Sequence, residues 1–167
     1  MRRKEKEIKD RSLLEEILQK ALVCRLALSD GSRPYVVPLC FGYRENTLYF
    51  HSGMTGMKIE ILKKNNKVCF ETEIGVEVVR SEKPCKWSMH FMSVIGFGTA
   101  AIILEPEGKR EALDIILSHY SGEDGPFDYA DETIDKTVII QVDIDSMTGK
   151  SSGLMPLSGD KNHFKKE

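Results

Sequence analysis

The sequence has no excess of charge of either sign, no paired-cysteine motif, no long apolar run and a single tryptophan. Lys and Arg total 24 against 26 Asp and Glu, a formal net charge of −2, which gives nucleic acid or an anionic membrane nothing to bind electrostatically. No apolar run approaches the ~18–20 residues of a membrane span. The basic opening Met1-Arg2-Arg3-Lys4 has no apolar stretch behind it, so no secretory signal is expected. Cys24, Cys40, Cys69 and Cys85 stand alone, without CxxC or zinc-finger Cys-His spacing. They read as reduced thiols of a cytoplasmic protein, each suited to a core position, and no metal is expected. The absence of a strand–GxGxxG–helix and of GxxxxGK[ST] excludes Rossmann and P-loop readings. No Ser-His-Asp arrangement or paired-carboxylate site can be argued from the spacing.

What is present suits one globular domain: 167 residues, 41% hydrophobic and 30% charged. After a charged lead-in of ten residues, Ser12-Leu13-Leu14-Glu15 fits a capping box, and Leu13, Leu14, Ile17, Leu18 and Ala21 form a helical stripe. Strand patterns follow at 22–28, 34–43 and 48–52, an antiparallel meander whose first turn is Asp30-Gly31. A short helix at 55–64, strands at 67–73 and 76–80, and a long strand at 86–104 come next. Pro106 opens a helix with apolar Ala112, Leu113, Ile116, Leu117 and Tyr120. Residues 121–135 read as irregular, 137–144 as the last strand, and 151–167 as a polar tail. The expected fold is α+β, a six- to seven-stranded antiparallel β-barrel with three peripheral helices in one domain over 1–150.

Three stretches could carry chemistry. In His51-Ser52-Gly53-Met54-Thr55-Gly56-Met57-Lys58 a strand runs into a helix start, where backbone amides collect. Lys58 in that first turn opposes the helix dipole unless an anion such as a phosphate shares the site. The alternative is that Thr55 caps the helix and Lys58 reaches into water. Pro38, within Val36-Val37-Pro38-Leu39-Cys40, cannot complete a ladder, which marks an edge strand or a place where a planar ring lies alongside. Gly96, Gly98 and Ala100 alternate after Ser93, forming a shelf for a flat ligand or a tight barrel corner, with Trp87 and His90 upstream. His51 is the one histidine in a candidate site strand; His119 and His163 read as surface residues.

Together Pro34-Tyr35-Val36-Val37-Pro38-Leu39, Phe41-Gly42-Tyr43, Leu48-Tyr49-Phe50-His51-Ser52, Lys58, Val68-Cys69-Phe70 and Ser93-Val94-Ile95-Gly96-Phe97-Gly98 resemble a known family. It is the nitroimidazole-resistance (Nim) branch of the pyridoxamine-phosphate-oxidase-like flavoproteins. The opening Met1-Arg2-Arg3-Lys4 and the late Thr148-Gly149-Lys150 are similar to that branch as well. The resemblance implies a split β-barrel binding FMN at the interface of a homodimer. It places the FMN phosphate at Ser52 and Lys58, with Met57 beside them among the cofactor-binding residues, and the isoalloxazine ring along Val36, Val37, Pro38, Leu39 and Cys40. His51 would lie near the ring as proton donor or substrate-orienting group, and Trp87 and Ser93 would close the site from the second subunit. Met57 stands where relatives often carry a second basic residue, and Cys40 where a polar residue such as Asn is common. The chain ends without the Arg-bearing segment of true pyridoxamine-phosphate oxidases, so vitamin B6 oxidation is not expected.

The implied activity is FMN-dependent reduction of small electron-poor molecules such as nitroaromatics, with NAD(P)H as electron source and no nucleic-acid or membrane partner. Two alternatives stay open: a flavin-binding module or sensor with little catalysis, and a barrel that binds a deazaflavin or a haem, the haem taking His51, His90 or a cysteine as axial ligand.

Overall fold

The computed structural model describes residues 3–153. Asp10, rather than Ser12, caps the first helix, α1 (Arg11–Lys20). Its carboxylate Oδ1 accepts from the Ser12 amide at 2.9 Å, the Ser12 hydroxyl at 2.8 Å and the Leu13 amide at 3.5 Å. A charged acceptor placed two residues earlier outcompetes the hydroxyl. Glu15 is thereby left to pair with Arg11 at 2.7 Å and to accept from the Tyr43 hydroxyl at 3.0 Å.

The sheet has eight strands, one more than expected. They are β1 (Glu7–Ile8), β2 (Cys24–Ser29), β3 (Pro34–Leu39), β4 (Gly42–Arg44), β5 (Thr47–Gly53), β6 (Lys67–Val79), β7 (Ser88–Ile103) and β8 (Thr137–Ser152). The order is β3-β2-β6-β7-β8-β5-β4, with β1 added to the far end of β8, so the charged lead-in is partly a strand. All pairings are antiparallel. Segments 67–73 and 76–80 form one strand, because a bulge between Ile74 and Glu77 absorbs the break in pattern. Segment 34–43 is two strands instead of one, parted at Cys40-Phe41. The last strand runs on through Ser151 and Ser152; the rest of the expected tail, with His163, lies outside the described residues.

Three further helices are α2 (Met57–Lys64), α3 (Pro106–Ser121) and α4 (Asp131–Lys136), the last within a stretch expected to be irregular. The buried ammonium of Lys109 ties α4 to α3 by donating to the Ile134 carbonyl at 3.0 Å. Leu14, Ile17 and Leu18 of α1 and Ile59 and Leu62 of α2 share one core with Leu26, Leu48, Phe50, Phe70 and Val94 of the strands. A smaller cluster of Ala112, Ile116 and Ile139 seats α3 on the outer face of β5 and β8.

Sheet closure depends on missing side chains. A Cβ on Gly96 would lie 2.2 Å from the Phe70 ring, and one on Gly98 would lie 2.5 Å from the Asp143 carbonyl oxygen. The expected shelf is therefore filled by the protein's own core and is a barrel corner. Cys24 is buried in that core, while Cys40 and Cys85 are exposed, contrary to a core role for all four thiols. No described helix is long and apolar enough to cross a membrane.

Gly42 sets the distance between β4 and α3, since a Cβ there would meet Ile115 and Ile116 backbone atoms at 2.8 Å. Gly42→Ala should cost about 1–3 kcal/mol, at ~2–4 °C of melting temperature per kcal/mol. Gly53→Ala, with open space around its Cβ, should melt within about 1 °C of the parent. Equal melting curves for all three proteins would contradict the packing assigned to Gly42.

Candidate functional site

Strand β5 alternates faces: Leu48, Phe50 and Ser52 point into the core, and His51 points outward and is exposed. The buried Ser52 hydroxyl donates to the Gly53 carbonyl at 3.0 Å. After β5 the chain turns through Gly53-Met54-Thr55-Gly56 into α2. Gly56, at φ 127°, takes the N-cap position, where no side chain caps the helix. Thr55 therefore does not cap it, and the amides of the first turn are left for another acceptor. A Cβ on Gly53 or Gly56 would meet nothing within 4 Å, so this corner is open. Lys58 is half-buried in the first turn and has no acidic partner among the described residues. Met57 beside it is exposed.

Strand β3 ends the sheet order and pairs only with β2, with Pro38 opposite Arg25. Tyr35, Val37 and Leu39 pack on the core, whereas Val36, Pro38 and Cys40 face outward. Its second backbone edge is unpaired among the described residues, as the proline requires. Helix α2 lies between β5 and β2. It starts at the end of β5, buries Ile59 and Leu62 in the core with Leu28, and ends where the Asn65 side chain donates to the Ser29 carbonyl at the end of β2, 2.8 Å away. The structure thus gathers Ser52, Met57 and Lys58 at the β5–α2 corner, with His51 on the strand leading into it, while Val36 to Cys40 lie on β3, which runs from the Ser29 end of β2 toward its Cys24 end.

Trp87 and Ser93 do not join them within one chain. Trp87 lies in the β6–β7 connection, 53% exposed, and its indole N–H donates to the Ser81 carbonyl at 2.7 Å. Ser93 is half-buried on β7, opposite Glu73 and Lys150. Around them lies exposed apolar surface: Phe97 (58% exposed) and Ile95 on β7, with Val76, Val78 and Met89 on the projecting β6–β7 hairpin.

Two features escaped the sequence reading. Helix α3 pins the β3–β4 break. The Tyr120 hydroxyl accepts from the Phe41 amide at 2.9 Å and donates to the Leu22 carbonyl at 2.9 Å. Burial pushes that phenol up to about 12. His119, expected at the surface, packs 4.7 Å from the Phe41 ring, with Nε2 2.7 Å from the Ala21 carbonyl. A carbonyl only accepts, so Nε2 carries the proton, and burial holds the imidazole below its ordinary pKa. A cleft of 710 Å³ beside it, lined by Gln19, Tyr43, Asp114 and His119 among others, contains none of the expected site residues.

The second feature is a charge triad on the outer face of β2 and β6. Arg25 reaches Glu71 at 3.0 Å and Glu73 at 2.8 Å. The i, i+2 spacing of two carboxylates on one strand was its signal. Burial, followed by the hydrogen bond to Glu73 and its repulsion, raises the Glu71 carboxyl to about 7 despite Arg25. For Glu73 burial works upward too, but the hydrogen bonds from Glu71 and Arg25 outweigh it and hold the carboxyl below its usual range. The folded state thus keeps a proton on Glu71 that the unfolded chain releases, so this group costs stability as pH rises from ~4.5 to ~7. Glu71→Gln should match the parent's melting temperature at pH 5 and exceed it at pH 8. An equal difference at both pH values would contradict the shared proton.

The family model for pyridoxamine 5′-phosphate oxidase matches residues 10–151. A candidate 5-nitroimidazole antibiotic resistance protein from Bacteroides thetaiotaomicron is 39% identical over 86% of this chain and 85% of its own, at a TM-score of 0.76. A flavocytochrome from Azotobacter vinelandii has 18% identity and a TM-score of 0.78, covering 96% of this chain and 75% of its own. An FAD- and haem-binding protein from Mycobacterium smegmatis has 20% identity and a TM-score of 0.77, covering 92% and 77%. These two likenesses concern the fold. Comparison with curated proteins gives no match.

Proposed function

The chain belongs to the pyridoxamine 5′-phosphate oxidase family, and from that premise we propose that residues 1–150 form one domain that binds FMN between two copies of the chain. In this reading the protein is a cytoplasmic oxidoreductase. It passes electrons from NAD(P)H to small electron-poor molecules, with nitroaromatics the class suggested by the 39% identical relative's description.

The observation that carries this reading is the corner between β5 and α2. A phosphate needs donors and positive charge. That corner offers uncapped amides at a helix start, open space at Gly53 and Gly56, and Lys58 without an acidic partner among the described residues. The donor set fits a dianion. The unpaired edge of β3 at Val36 to Cys40 supplies backbone groups for the polar rim of a flat ring. Cys40 is exposed there, and its thiol makes a weaker hydrogen bond than an amide side chain would. Bound FMN would supply the two-electron chemistry that no side chain here offers.

The role of the chain is to hold, orient and dry the site. Lys58 balances phosphate charge, and Met57 adds an apolar flank where a second cation is missing. Homodimerisation is supported by the exposed Ile95 and Phe97 and by the hairpin's Val76, Val78 and Met89, more apolar surface than one soluble copy usually leaves open. Trp87 and Ser93, remote from Lys58 in one chain, would reach the site of the partner copy. His51 is exposed on the strand leading into the phosphate corner, in a position to donate a proton to a bound acceptor. The haem and deazaflavin readings have support only from fold likeness at low identity.

The test is anaerobic NAD(P)H oxidation with a 5-nitroimidazole as acceptor, for the parent and His51→Ala. The parent should turn over only with FMN bound. The variant should keep its FMN and lose about 10²-fold in turnover, the scale of a positioned proton donor. Equal turnover would remove the role of His51. FMN binding with no turnover of any acceptor would favour a flavin-binding sensor.

A further inference from the structure

The connection at residues 80–87 joins β6 to β7 at the tip of the hairpin, where the last ladder pair is Val79 and Ser88. It contains three cations, Arg80, Lys83 and Lys86, against one carboxylate, Glu82. All three cations are exposed, and none has an ion pair or side-chain hydrogen bond among the described residues. Other surface cations are paired closely, as in Arg11–Glu15, Lys20–Glu16 and Lys63–Glu60.

The loop is also held in shape. The Lys83 amide donates to the Ser81 hydroxyl at 3.3 Å. The Lys86 amide donates to the Lys83 carbonyl at 2.9 Å, and the Trp87 amide to the Pro84 carbonyl at 3.2 Å. The indole N–H is anchored on the Ser81 carbonyl, so Trp87 presents a large exposed ring at little cost in side-chain freedom. An exposed tryptophan is ordinarily expensive to hold still. Here a hydrogen bond fixes it beside three unpaired cations.

We propose that this loop docks the phosphate-bearing half of the electron donor, a nicotinamide dinucleotide phosphate, with its adenine against the Trp87 indole and its phosphates among Arg80, Lys83 and Lys86. The ligand class follows from the chemistry. A flat heterocycle suits the indole face, and several phosphate charges suit three cations spread over one short loop. The phosphate on the adenosine ribose adds charge in that half of the molecule, so NADPH should be favoured over NADH. This inference rests on the flavin-dependent reading above: Trp87, which there reaches the partner copy's flavin site, would hold the donor's adenine at the rim of that same site.

Trp87 is the only tryptophan, so intrinsic fluorescence reports this loop directly and independently of turnover. The full-length protein, as purified and after addition of FMN, is titrated with adenosine 2′,5′-bisphosphate at low salt, beside the double variant Lys83→Glu/Lys86→Glu. The parent should show a saturable fluorescence change that weakens as salt rises. The double variant should bind about tenfold more weakly or worse, while melting like the parent and taking up FMN equally well. In turnover its KM for NADPH should rise by more than its KM for NADH, which lacks the ribose phosphate. No saturable response in the parent, or the same response in both proteins, overturns the assignment to this loop. Flavin uptake without a nucleotide response leaves the flavin reading intact and removes only the loop's role. Nucleotide binding by a protein that takes up no flavin overturns both the donor assignment and the flavin reading.

Discussion

The Phe70 ring fills the space where a side chain at Gly96 would stand, and the architecture follows from that contact. Strands β7 and β8 each run sixteen residues, too long to lie flat against a small core. Gly96 and Gly98 let β6 and β8 close in on β7, and the bulge between Phe97 and Gly98 turns the ladder there. The sheet therefore bends round a single core instead of stacking as two layers. Its two ends, β3 and β4, are consecutive in the chain, and α2 spans the gap between β5 and β2.

Several groups of this barrel are left incomplete. The β3 edge has no partner on one side, the α2 start has no cap, and Lys58 has no counter-charge among the described residues. Each would be a small cost in an isolated fold. In the proposed function a ligand that is a flat ring at one end and a dianion at the other would complete them. The other side of the β3–β4 break is closed firmly by Tyr120 and His119, which hold Leu22, Ala21 and Phe41 from α3. Rigidity behind the break keeps the β3 edge in place, and Tyr120 also interacts with Cys40 at the end of that edge.

Local chemistry made much of this legible in the sequence. Alternating apolar positions revealed the strands, Pro38 revealed an edge, and the glycines before Lys58 revealed a helix start with donors to spare. The failures have physical causes. Ser12 was preferred as a cap because its spacing to Glu15 fits a box, but the Asp10 carboxylate is the stronger acceptor. Segments 67–73 and 76–80 looked separate because a bulge interrupts the alternation of a continuous strand. Gly96 and Gly98 were compatible with either a shelf or a corner, and only the position of Phe70, far away in sequence, decided it. His119 looked exposed because nothing local reveals that its ring stacks on Phe41. Trp87 and Ser93 reach the site only through the second copy that the proposed function requires, and the exposed Ile95 and Phe97 are the feature of one chain that supports such a copy.

The claim on which the account stands is that the β5–α2 corner and the β3 edge hold FMN. The visible spectrum of the freshly purified protein, with mass spectrometry of what acid releases, tests it most directly. The account predicts a yellow protein that releases FMN, or a colourless one that becomes yellow when FMN is added and keeps it through gel filtration. A colourless protein that does not retain added FMN would contradict the account and leave only the barrel.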